Sequence, residues 1–279
     1  MIVTRFAPSP TGYLHLGHAF AALTAARAGE RFLVRIEDID TTRCRPEFES
    51  AIFEDLDWLG LKWATPVLRQ SERFPAYRDA LHALGSRGLV YPCFCTRKEI
   101  AEEVARAGEA PHGPEGPIYP GTCRGLSATE QQRRIDEGAP YTLRLDTARA
   151  GLEAGELWFD ESGAGPQQER GRISVQPALF GDIVLSRKET PAAYHLAVVV
   201  DDAFQGVTLV TRGNDLFAAT HVQRLLQALL GFPAPRYAHH RLILDEHGRK
   251  FSKRDRKATL RSMRESGVTA ADVRTRLGF

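Results

Sequence analysis

The stretch R-F-A-P-S-P-T-G-Y-L-H-L-G-H near the N-terminus constrains this chain more than any other feature. Residues 1–6 have the apolar content of a strand, and a helical segment follows at residues 19–28. Pro8 and Pro10 prevent the strand from continuing. Gly17 carries no side chain, so a ligand can approach the start of the helix. The sequence therefore predicts a strand, a tight turn and a helix, with a ligand site at the turn.

This turn has the properties of an anion site. Backbone N–H groups at a helix start lack partners and the helix dipole is positive there, so phosphate binding is favoured. His15 and His18 add two imidazole donors. An H-x-G-H pattern alone is weak evidence, because two histidines three residues apart are more often surface or core residues. The turn predicts phosphate binding and leaves a catalytic role open.

The remaining periodic segments predict an α/β fold. A strand at residues 31–36 completes a β-α-β unit with the first strand and helix. Two buried strands, residues 196–200 and 207–210, complete a parallel sheet. Short alternating segments at residues 141–146 and 181–186 predict strands of an inserted module. Further helices are predicted at residues 47–59, 73–84, 98–107 and 216–230.

Three of the four cysteines lie in a Gly/Pro-rich region with little helix or strand signal. Cys93, Cys95 and Cys123 more plausibly hold a metal than a disulfide, since we expect a cytosolic chain. Their spacing is not the usual C-x2-C pair, so a structural zinc site and free thiols remain equally open. His112, in the same loop, is a chemically good fourth ligand. Cys44 is expected to be a small packing residue.

Composition limits the classes of protein that this chain can represent. With 279 residues, 43% hydrophobic and 26% charged, it can bury a sizeable core. Its formal net charge of +2 neither requires nor excludes nucleic acid, so an RNA surface would be a local patch. The first residues enter a strand directly, and no apolar run is long enough to span a bilayer. We therefore expect a cytoplasmic protein with no membrane partner.

Several motifs together resemble class I aminoacyl-tRNA synthetases of the glutamyl type. The N-terminal string combines with R-I-E-D-I-D at residues 35–40 and K-F-S-K at residues 250–253. The segments at residues 194–202 and 206–213 resemble the second half of that family's nucleotide-binding fold. The resemblance spans most of the chain and is greatest to the short members of the family, the glutamyl-Q tRNA(Asp) synthetases.

The resemblance implies a fold and a domain division. It implies an α/β Rossmann-type class I catalytic domain with an inserted zinc-bearing α/β acceptor-type module and no anticodon-binding domain. We expect the first Rossmann half at residues 1–90, the insertion at 91–189 and the second half at 190–238. A K-F-S-K-R loop and a short basic helical tail would occupy residues 239–279. The resemblance implies zinc ligands at Cys93, Cys95, Tyr119 and Cys123, with His112 as the rival to Tyr119.

The resemblance also implies roles for individual residues. Arg5 and Arg212 can bind the carboxylates of glutamate, Glu37 can pair with its ammonium group, and Ser9 and Tyr194 would also touch the amino acid. These positions lie at or beyond the carboxyl ends of predicted strands, where open α/β sheets bind ligands. The expected catalytic residues are His15, His18, Lys250 and Lys253, and the expected ATP ligands are His15, Gly17, His18 and Lys253. K-F-S-K-R departs from the family signature by ending in Arg254.

The implied reaction joins L-glutamate to ATP, carried with Mg²⁺, and passes the glutamyl group to queuosine in the anticodon stem-loop of tRNA(Asp). Only a short basic tail follows Lys253, which leads us to expect transfer to the anticodon loop and a monomeric protein. The alternatives are a truncated glutamyl-tRNA synthetase that charges the 3′ end of tRNA(Glu), a non-catalytic tRNA-binding paralogue and a nucleotidylyltransferase, which also uses H-x-G-H.

Overall fold

The computed structural model describes residues 1–106, 112–114, 116–188, 190–244 and 259–279. Its strands are β1 (Val3–Phe6), β2 (Arg31–Ile36), β3 (Ala64–Arg69), β4 (Val90–Cys93), β5 (His112–Gly113), β6 (Gly116–Pro117), β7 (Thr142–Leu145), β8 (Trp158–Glu161), β9 (Gly171–Ser174), β10 (Val184–Ser186), β11 (Leu209–Gly213) and β12 (Arg236–His240). Its helices are α1 (Leu16–Ala28), α2 (Pro46–Trp58), α3 (Phe74–Gly85), α4 (Arg97–Arg106), α5 (Ala128–Asp136), α6 (Thr147–Ala154), α7 (Tyr194–Phe204), α8 (Ala219–Leu229), α9 (Leu260–Glu265) and α10 (Ala270–Leu277). Among the described residues, every helix is too short or too polar to span a bilayer.

A mostly parallel sheet forms the centre of the molecule. One part has the order β1-β2-β3, and the other has the order β11-β12-β8-β9 with only β9 antiparallel to its neighbour. The two parts meet where the Thr208 N–H donates to the Val3 carbonyl oxygen at 3.0 Å. The carboxyl ends of β1, β2, β11, β12 and β8 therefore lie along one edge, where open α/β sheets bind ligands.

The first part of the chain confirms the predicted β-α-β unit. β2 has the predicted bounds, and α1 begins three residues earlier than expected, at Leu16. The predicted helices over residues 47–59, 73–84, 98–107 and 216–230 are confirmed as α2, α3, α4 and α8, with their ends moved by one to three residues. Leu16, Leu23 and Ile36 pack with α2 and α10 in one apolar cluster.

The predicted strand over residues 196–200 is wrong, because these residues belong to α7. Every residue from His195 to Asp202 is buried, so this part of the helix is covered on all sides, and its residues 196–200 are all apolar. A short apolar run of this kind has no amphipathic period and does not distinguish a buried helix from a buried strand. α7 packs against α3 and α8 over the central sheet.

A second, antiparallel sheet has the order β10-β7-β4, which confirms the strands predicted at residues 141–146 and 181–186. The two short strands β5 and β6 pair beside it in the same part of the chain. β8 and β9, however, belong to the central sheet, although they lie inside the 91–189 segment that the sequence assigns to the insertion. Residues 158–174 therefore return to the Rossmann part before β10 is formed.

Candidate active site

The signature turn is fixed to its surroundings by backbone hydrogen bonds. The Glu37 N–H donates to the carbonyl oxygen of Pro8, and the Arg45 N–H donates to that of Pro10, both at 3.0 Å. Because neither proline has an N–H of its own, the backbone of each can be held only through its carbonyl oxygen. The turn therefore sits beside the carboxyl end of β2.

His15 and His18 form the start of α1. The Gly17 N–H donates to Nδ1 of His15 at 3.1 Å, and the His15 N–H donates to Nδ1 of His18 at 3.2 Å. These two bonds cap the helix, and the ring centroids lie 3.8 Å apart. A Cβ at residue 17 would lie 3.1 and 3.2 Å from Cε1 and Nδ1 of His15, so Gly17 provides the space for the His15 ring.

The chain returns to this turn after the K-F-S-K-R segment. Thr259 forms an antiparallel bridge with His15, and the Leu260 N–H donates to the Leu14 carbonyl oxygen at 2.8 Å. Lys250 and Lys253 lie outside the described residues. The described chain thus resumes directly beside the first signature.

Arg5 and Glu37 belong to a buried cluster of four charges. Nε of Arg5 donates to Oδ1 of Asp202 at 3.0 Å, and Nη1 of Arg35 donates to the same oxygen at 2.6 Å. Nη2 of Arg35 also donates to Oε1 of Glu37 at 3.3 Å. Burial raises the pKa of the Glu37 carboxyl despite the nearby charges of Arg35 and Arg5. Burial would also raise the pKa of Asp202, but the charges of Arg5 and Arg35 outweigh it and lower that pKa.

Arg212 is buried in a different environment. Its Nε donates to Nε2 of His239 at 3.0 Å, its Nη1 to Oε1 of Gln223 at 2.8 Å and its Nη2 to Oγ1 of Thr220 at 2.7 Å. The guanidinium group also faces the ring of Tyr237, with its carbon 5.6 Å from the ring centroid. These hydrogen-bond partners are all neutral if His239 is unprotonated.

His239 in turn contacts Glu161. Nδ1 of His239 is hydrogen-bonded to Oε2 of Glu161, and both side chains are fully buried. Burial lowers the pKa of His239, which favours a neutral ring. Burial alone would raise the pKa of Glu161, but the hydrogen bonds from His239 outweigh it and lower that pKa. A carboxylate therefore faces one side of a neutral imidazole, and a guanidinium group faces the other.

Ser9 and Tyr194 lie in two different parts of the site. The Thr11 N–H donates to the Ser9 carbonyl oxygen at 2.8 Å within the signature turn. Tyr194 is the first residue of α7 and keeps 38% of its surface exposed. It lines a cavity of about 300 Å³ between α7 and the antiparallel sheet, together with Arg144 and Arg187.

The cysteines expected to bind metal do converge. The Sγ atoms of Cys93, Cys95 and Cys123 lie within 4.8 Å of one another, and none forms a disulfide. The Tyr119 hydroxyl oxygen lies 3.3 Å from Sγ of Cys93 and 3.6 Å from Sγ of Cys95. Burial raises the pKa of the Cys95 thiol to about 12. Cys44 lies apart from this cluster, beside the signature turn.

Several residues of this site, among them Asp202, Glu161 and His239, have no role predicted from the sequence. Asp202 lies two residues beyond the segment 196–200 that was predicted as a strand, and neither β8, which carries Glu161, nor β12, which carries His239, was predicted. The sequence did contain one signal for them. A charged or imidazole side chain at the end of a short apolar segment marks a candidate strand end at the ligand-binding edge.

Comparisons with known proteins identify the family of the chain. Residues 1–275 match the family described as tRNA synthetases class I (E and Q), catalytic domain. The chain is 49% identical over 287 residues to a Rhodobacter capsulatus protein named glutamyl-Q tRNA(Asp) synthetase, with 100% of both chains covered. It is 40% identical over 272 residues to the glutamate–tRNA ligase of Aquifex aeolicus, which covers 95% of this chain and 54% of that protein.

A solved structure shows the same fold. A glutamate tRNA ligase from Elizabethkingia meningosepticum, in complex with its amino acid, superposes with a TM-score of 0.73 at 30% identity. The match covers 91% of this chain and 52% of that one, so the chain spans about half the length of such ligases. The expected α/β Rossmann-type catalytic domain is confirmed, and the chain belongs to the class I tRNA synthetases of the E and Q family.

Proposed function

We propose that this chain activates L-glutamate with ATP and transfers the glutamyl group to queuosine at position 34 of tRNA(Asp). The observation that carries the proposal is its 49% identity, along the full length of both chains, to a protein named glutamyl-Q tRNA(Asp) synthetase. Relatives from Nitratidesulfovibrio vulgaris and Nocardia farcinica, each 43% identical to this chain, carry the same name. The protein would thus be a ligase-type enzyme that modifies an anticodon.

The first step would take place at the signature turn. A glutamate α-carboxylate oxygen attacks the α-phosphorus of ATP, the bond to the bridging oxygen breaks, and pyrophosphate leaves with its electron pair. This reaction requires positioning and stabilisation of charge on phosphoryl oxygens. The α1 N-terminus with His15, Gly17 and His18 supplies donors on one side, and Lys250 and Lys253 would supply charge on the other. The return of the chain at Thr259 beside His15 supports this assignment.

Glutamate would bind along the carboxyl ends of the parallel strands. A guanidinium group has five N–H donors, and three of those on Arg212 are used within the protein, which leaves two for a carboxylate. Arg5 would bind the other carboxylate, although its Nε is already bonded to Asp202. Glu37 would pair with the ammonium group, and Ser9 and Tyr194 would complete the contacts.

The second step would transfer the glutamyl group to the cyclopentene-diol of queuosine. A hydroxyl oxygen attacks the carbonyl carbon of the adenylate, an ester bond forms, AMP leaves and the hydroxyl proton passes to the leaving phosphate or to water. The cavity lined by Tyr194, Arg144 and Arg187 opens between α7 and the antiparallel sheet. Its arginines suit an RNA partner, because guanidinium groups bind phosphates and stack on bases.

The cysteine cluster fits a structural zinc ion. Tetrahedral zinc with Zn–S bonds of about 2.3 Å holds its sulfur atoms about 3.8 Å apart, and places a bound oxygen about 3.5 Å from each sulfur. Sγ of Cys95 lies 3.5 Å from Sγ of Cys123, and the Tyr119 oxygen lies 3.3 Å from Sγ of Cys93. These spacings favour Cys93, Cys95, Tyr119 and Cys123 as the ligands. The ion would tie β4 to the loop before α5.

The domain division also remains a proposal. The first Rossmann half would occupy residues 1–90 and the second half 190–238, with a zinc-bearing module within 91–189 and the tail at 239–279. Transfer to an anticodon loop on one face of such a module requires only one copy, so we expect the protein to act as a monomer.

The test compares three RNA acceptors. The protein is incubated with ATP, Mg²⁺ and labelled glutamate in the presence of a queuosine-containing tRNA(Asp) anticodon stem-loop, the same stem-loop with guanosine at position 34, or intact tRNA(Glu). We expect label only on the queuosine stem-loop. Labelling of the tRNA(Glu) 3′ adenosine would instead identify a truncated glutamyl-tRNA synthetase. Binding of tRNA without glutamate-dependent pyrophosphate exchange would identify a non-catalytic paralogue.

A further inference from the structure

We propose that Glu161 and His239 are positioning residues for Arg212: Glu161 fixes the tautomer of His239, and His239 fixes the guanidinium group that receives a glutamate carboxylate. This inference rests on the proposed function, because it takes Arg212 as a ligand of the amino acid. Neither Glu161 nor His239 was singled out by the sequence motifs.

Strand register brings the three side chains together. Arg212 in β11 and His239 in β12 are directly paired residues of neighbouring parallel strands. Glu161 ends β8, the next strand, and its Cα pairs with that of Tyr237. Because side chains two residues apart on a strand share a face, the imidazole of His239 lies between the other two groups. The row crosses three strands at the ligand-binding edge of the sheet.

The protons of this row have one consistent arrangement. Nε of Arg212 carries a hydrogen and can only donate, so Nε2 of His239 must accept. The ring proton of neutral His239 then lies on Nδ1 and is donated to Oε2 of Glu161. Oε1 of Glu161 accepts the backbone N–H groups of His239 at 2.9 Å and Gly163 at 2.7 Å. Glu161 is thus held as an acceptor at both oxygens.

The local backbone is built for this arrangement. A Cβ at residue 163 would lie 2.2 Å from the carbonyl oxygen of His239 and 2.7 Å from its backbone nitrogen. Only glycine allows the turn after β8 to approach β12 so closely. The close approach brings the Gly163 N–H to Glu161 and holds that carboxylate against His239.

The charges favour an outside carboxylate on Arg212. Its positive charge is separated from Glu161 by a neutral ring, and its other hydrogen-bond partners among the described residues, Gln223 and Thr220, are neutral. Oε1 of Gln223 accepts from Arg212, while its buried Nε2 has no hydrogen-bond partner in the part of the chain that the structure describes. An incoming carboxylate would satisfy the guanidinium group and this amide together.

Glu161→Gln is the most discriminating variant because it keeps the shape of the side chain. The amide oxygen can still accept the two backbone N–H groups, which places the NH₂ group opposite Nδ1 of His239. Nδ1 must then accept, the ring proton moves to Nε2, and that proton faces the Nε–H of Arg212. A tautomer change therefore displaces Arg212 without removing it.

The variants are Glu161→Gln, His239→Phe, His239→Gln and the double variant Glu161→Gln/His239→Phe. His239→Gln retains a carbonyl acceptor for Arg212. The matched control is His221→Phe. Like His239, His221 is buried and contacts the ring of Phe217. Its ring nitrogen accepts the Gln176 N–H and not a hydrogen bond from Arg212. Each protein is first tested for a cooperative thermal transition.

Glutamate-dependent pyrophosphate exchange gives the KM for glutamate and the KM for ATP separately. We expect Glu161→Gln and His239→Phe to raise the KM for glutamate about tenfold or more, because a charge-assisted hydrogen bond to Arg212 is lost. The KM for ATP should stay within about twofold of wild type. For His239→Gln and for the control, the KM for glutamate should lie near the wild-type value. The KM for glutamate of the double variant should not exceed that of His239→Phe, because both changes break the same hydrogen-bond network.

Nitrogen NMR of histidine-labelled protein provides a measurement that does not depend on activity. We expect His239 to carry its proton on Nδ1 in wild type and on Nε2 in Glu161→Gln. An unchanged KM for glutamate in folded Glu161→Gln, or an unchanged tautomer, would overturn the inference while leaving the proposed function intact. Equal increases in both KM values would indicate a general structural role and also overturn it. Absence of exchange in the wild-type protein would contradict the proposed function itself.

Discussion

Replacing Asp202 by asparagine tests the buried charge cluster on which the glutamate site rests. The side chains of Arg5, Arg35 and Asp202 are at most 8% exposed, and Oδ1 of Asp202 accepts hydrogen bonds from both arginines. Asparagine keeps the shape of the side chain and removes its charge. Among the described residues, Glu37, which bonds to Arg35, and Asp201 would be the carboxylates left near the two buried guanidinium groups.

The size of the effect follows from burial. Removing one partner of a buried ion pair costs about 3–5 kcal/mol, because the remaining charge stays desolvated without compensation. Both hydrogen bonds go to Oδ1 of Asp202, and the amide oxygen of the variant can still accept both, so we expect the lower value, about 3 kcal/mol. Against a typical unfolding free energy of about 5–15 kcal/mol, this is a large loss.

The loss of unfolding free energy caused by Asp202→Asn should depend on pH. Arg5 and Arg35 lower the pKa of Asp202 in the folded protein despite its burial. Because the folded pKa lies below the unfolded value of about 3.9, the stabilising contribution is complete above about pH 4 and disappears as pH falls through the folded pKa. The difference in unfolding free energy between wild type and Asp202→Asn should therefore shrink in acid.

The assay is denaturant unfolding at pH 7 and at several acidic pH values. Asp57→Asn is the control, because the Asp57 carboxylate also bonds to a cation, Lys62, at 2.7 Å but on the exposed surface, where ion pairs contribute little. We expect the control to unfold as wild type does. An Asp202→Asn protein within about 1 kcal/mol of wild type at pH 7 would refute the reasoning, since a buried pair costs more.

Three further predictions concern the other parts of the site. Gly17→Ala should displace the His15 ring and lower pyrophosphate exchange about 100-fold. Its unfolding free energy should stay within about 1 kcal/mol of wild type, because alanine's higher helix propensity offsets the weakened cap. Exchange at the wild-type rate would contradict the role of Gly17 in making space for the His15 ring. Cys93→Ser should reduce zinc, measured by elemental analysis, from about one ion per chain to almost none, whereas Cys44→Ser should retain it. Lys253→Ala should depress exchange more than glutamate affinity, because charge develops on the phosphates, and equal effects on both would contradict its role.

Local sequence signals were sufficient to predict the first part of the fold. Pro8 and Pro10 exclude regular structure, the flanking segments are apolar, and Gly29 ends α1, so β1, α1 and β2 could be assigned from neighbouring residues. α7 could not, because its buried residues include Asp201 and Asp202 as well as valines. The side chain of Asp201 accepts bonds from Gln70 and Tyr77, distant residues that no local pattern reveals.

In the candidate site, too, some residues could be placed from local sequence signals and others depend on contacts between distant segments. Arg5, Glu37 and Arg212 could be placed from the rule that ligands bind at the carboxyl ends of parallel strands. Glu161 could not be connected with His239, since β8 has four residues and alternates in burial over too short a length to be recognised. Their contact depends on strand pairing across 78 residues of sequence. Such pairing is decided by the whole sheet and not by either segment.

The charges of the described site suit the binding of glutamate and the binding of the triphosphate in different ways. Arg5, Arg35 and Arg212 carry three positive charges, and three carboxylates, Glu37, Asp202 and Glu161, balance them. Counted over these six groups, the glutamate site that we propose is therefore neutral before glutamate binds, and we expect recognition there to depend on which N–H groups are held in position rather than on excess charge. The triphosphate carries more negative charge than this neutral set can offset. We propose that the charge on the phosphates is offset by the Mg²⁺ carried with ATP, by the dipole of the α1 N-terminus and by the lysines at residues 250 and 253, with His15 and His18 as hydrogen-bonding groups.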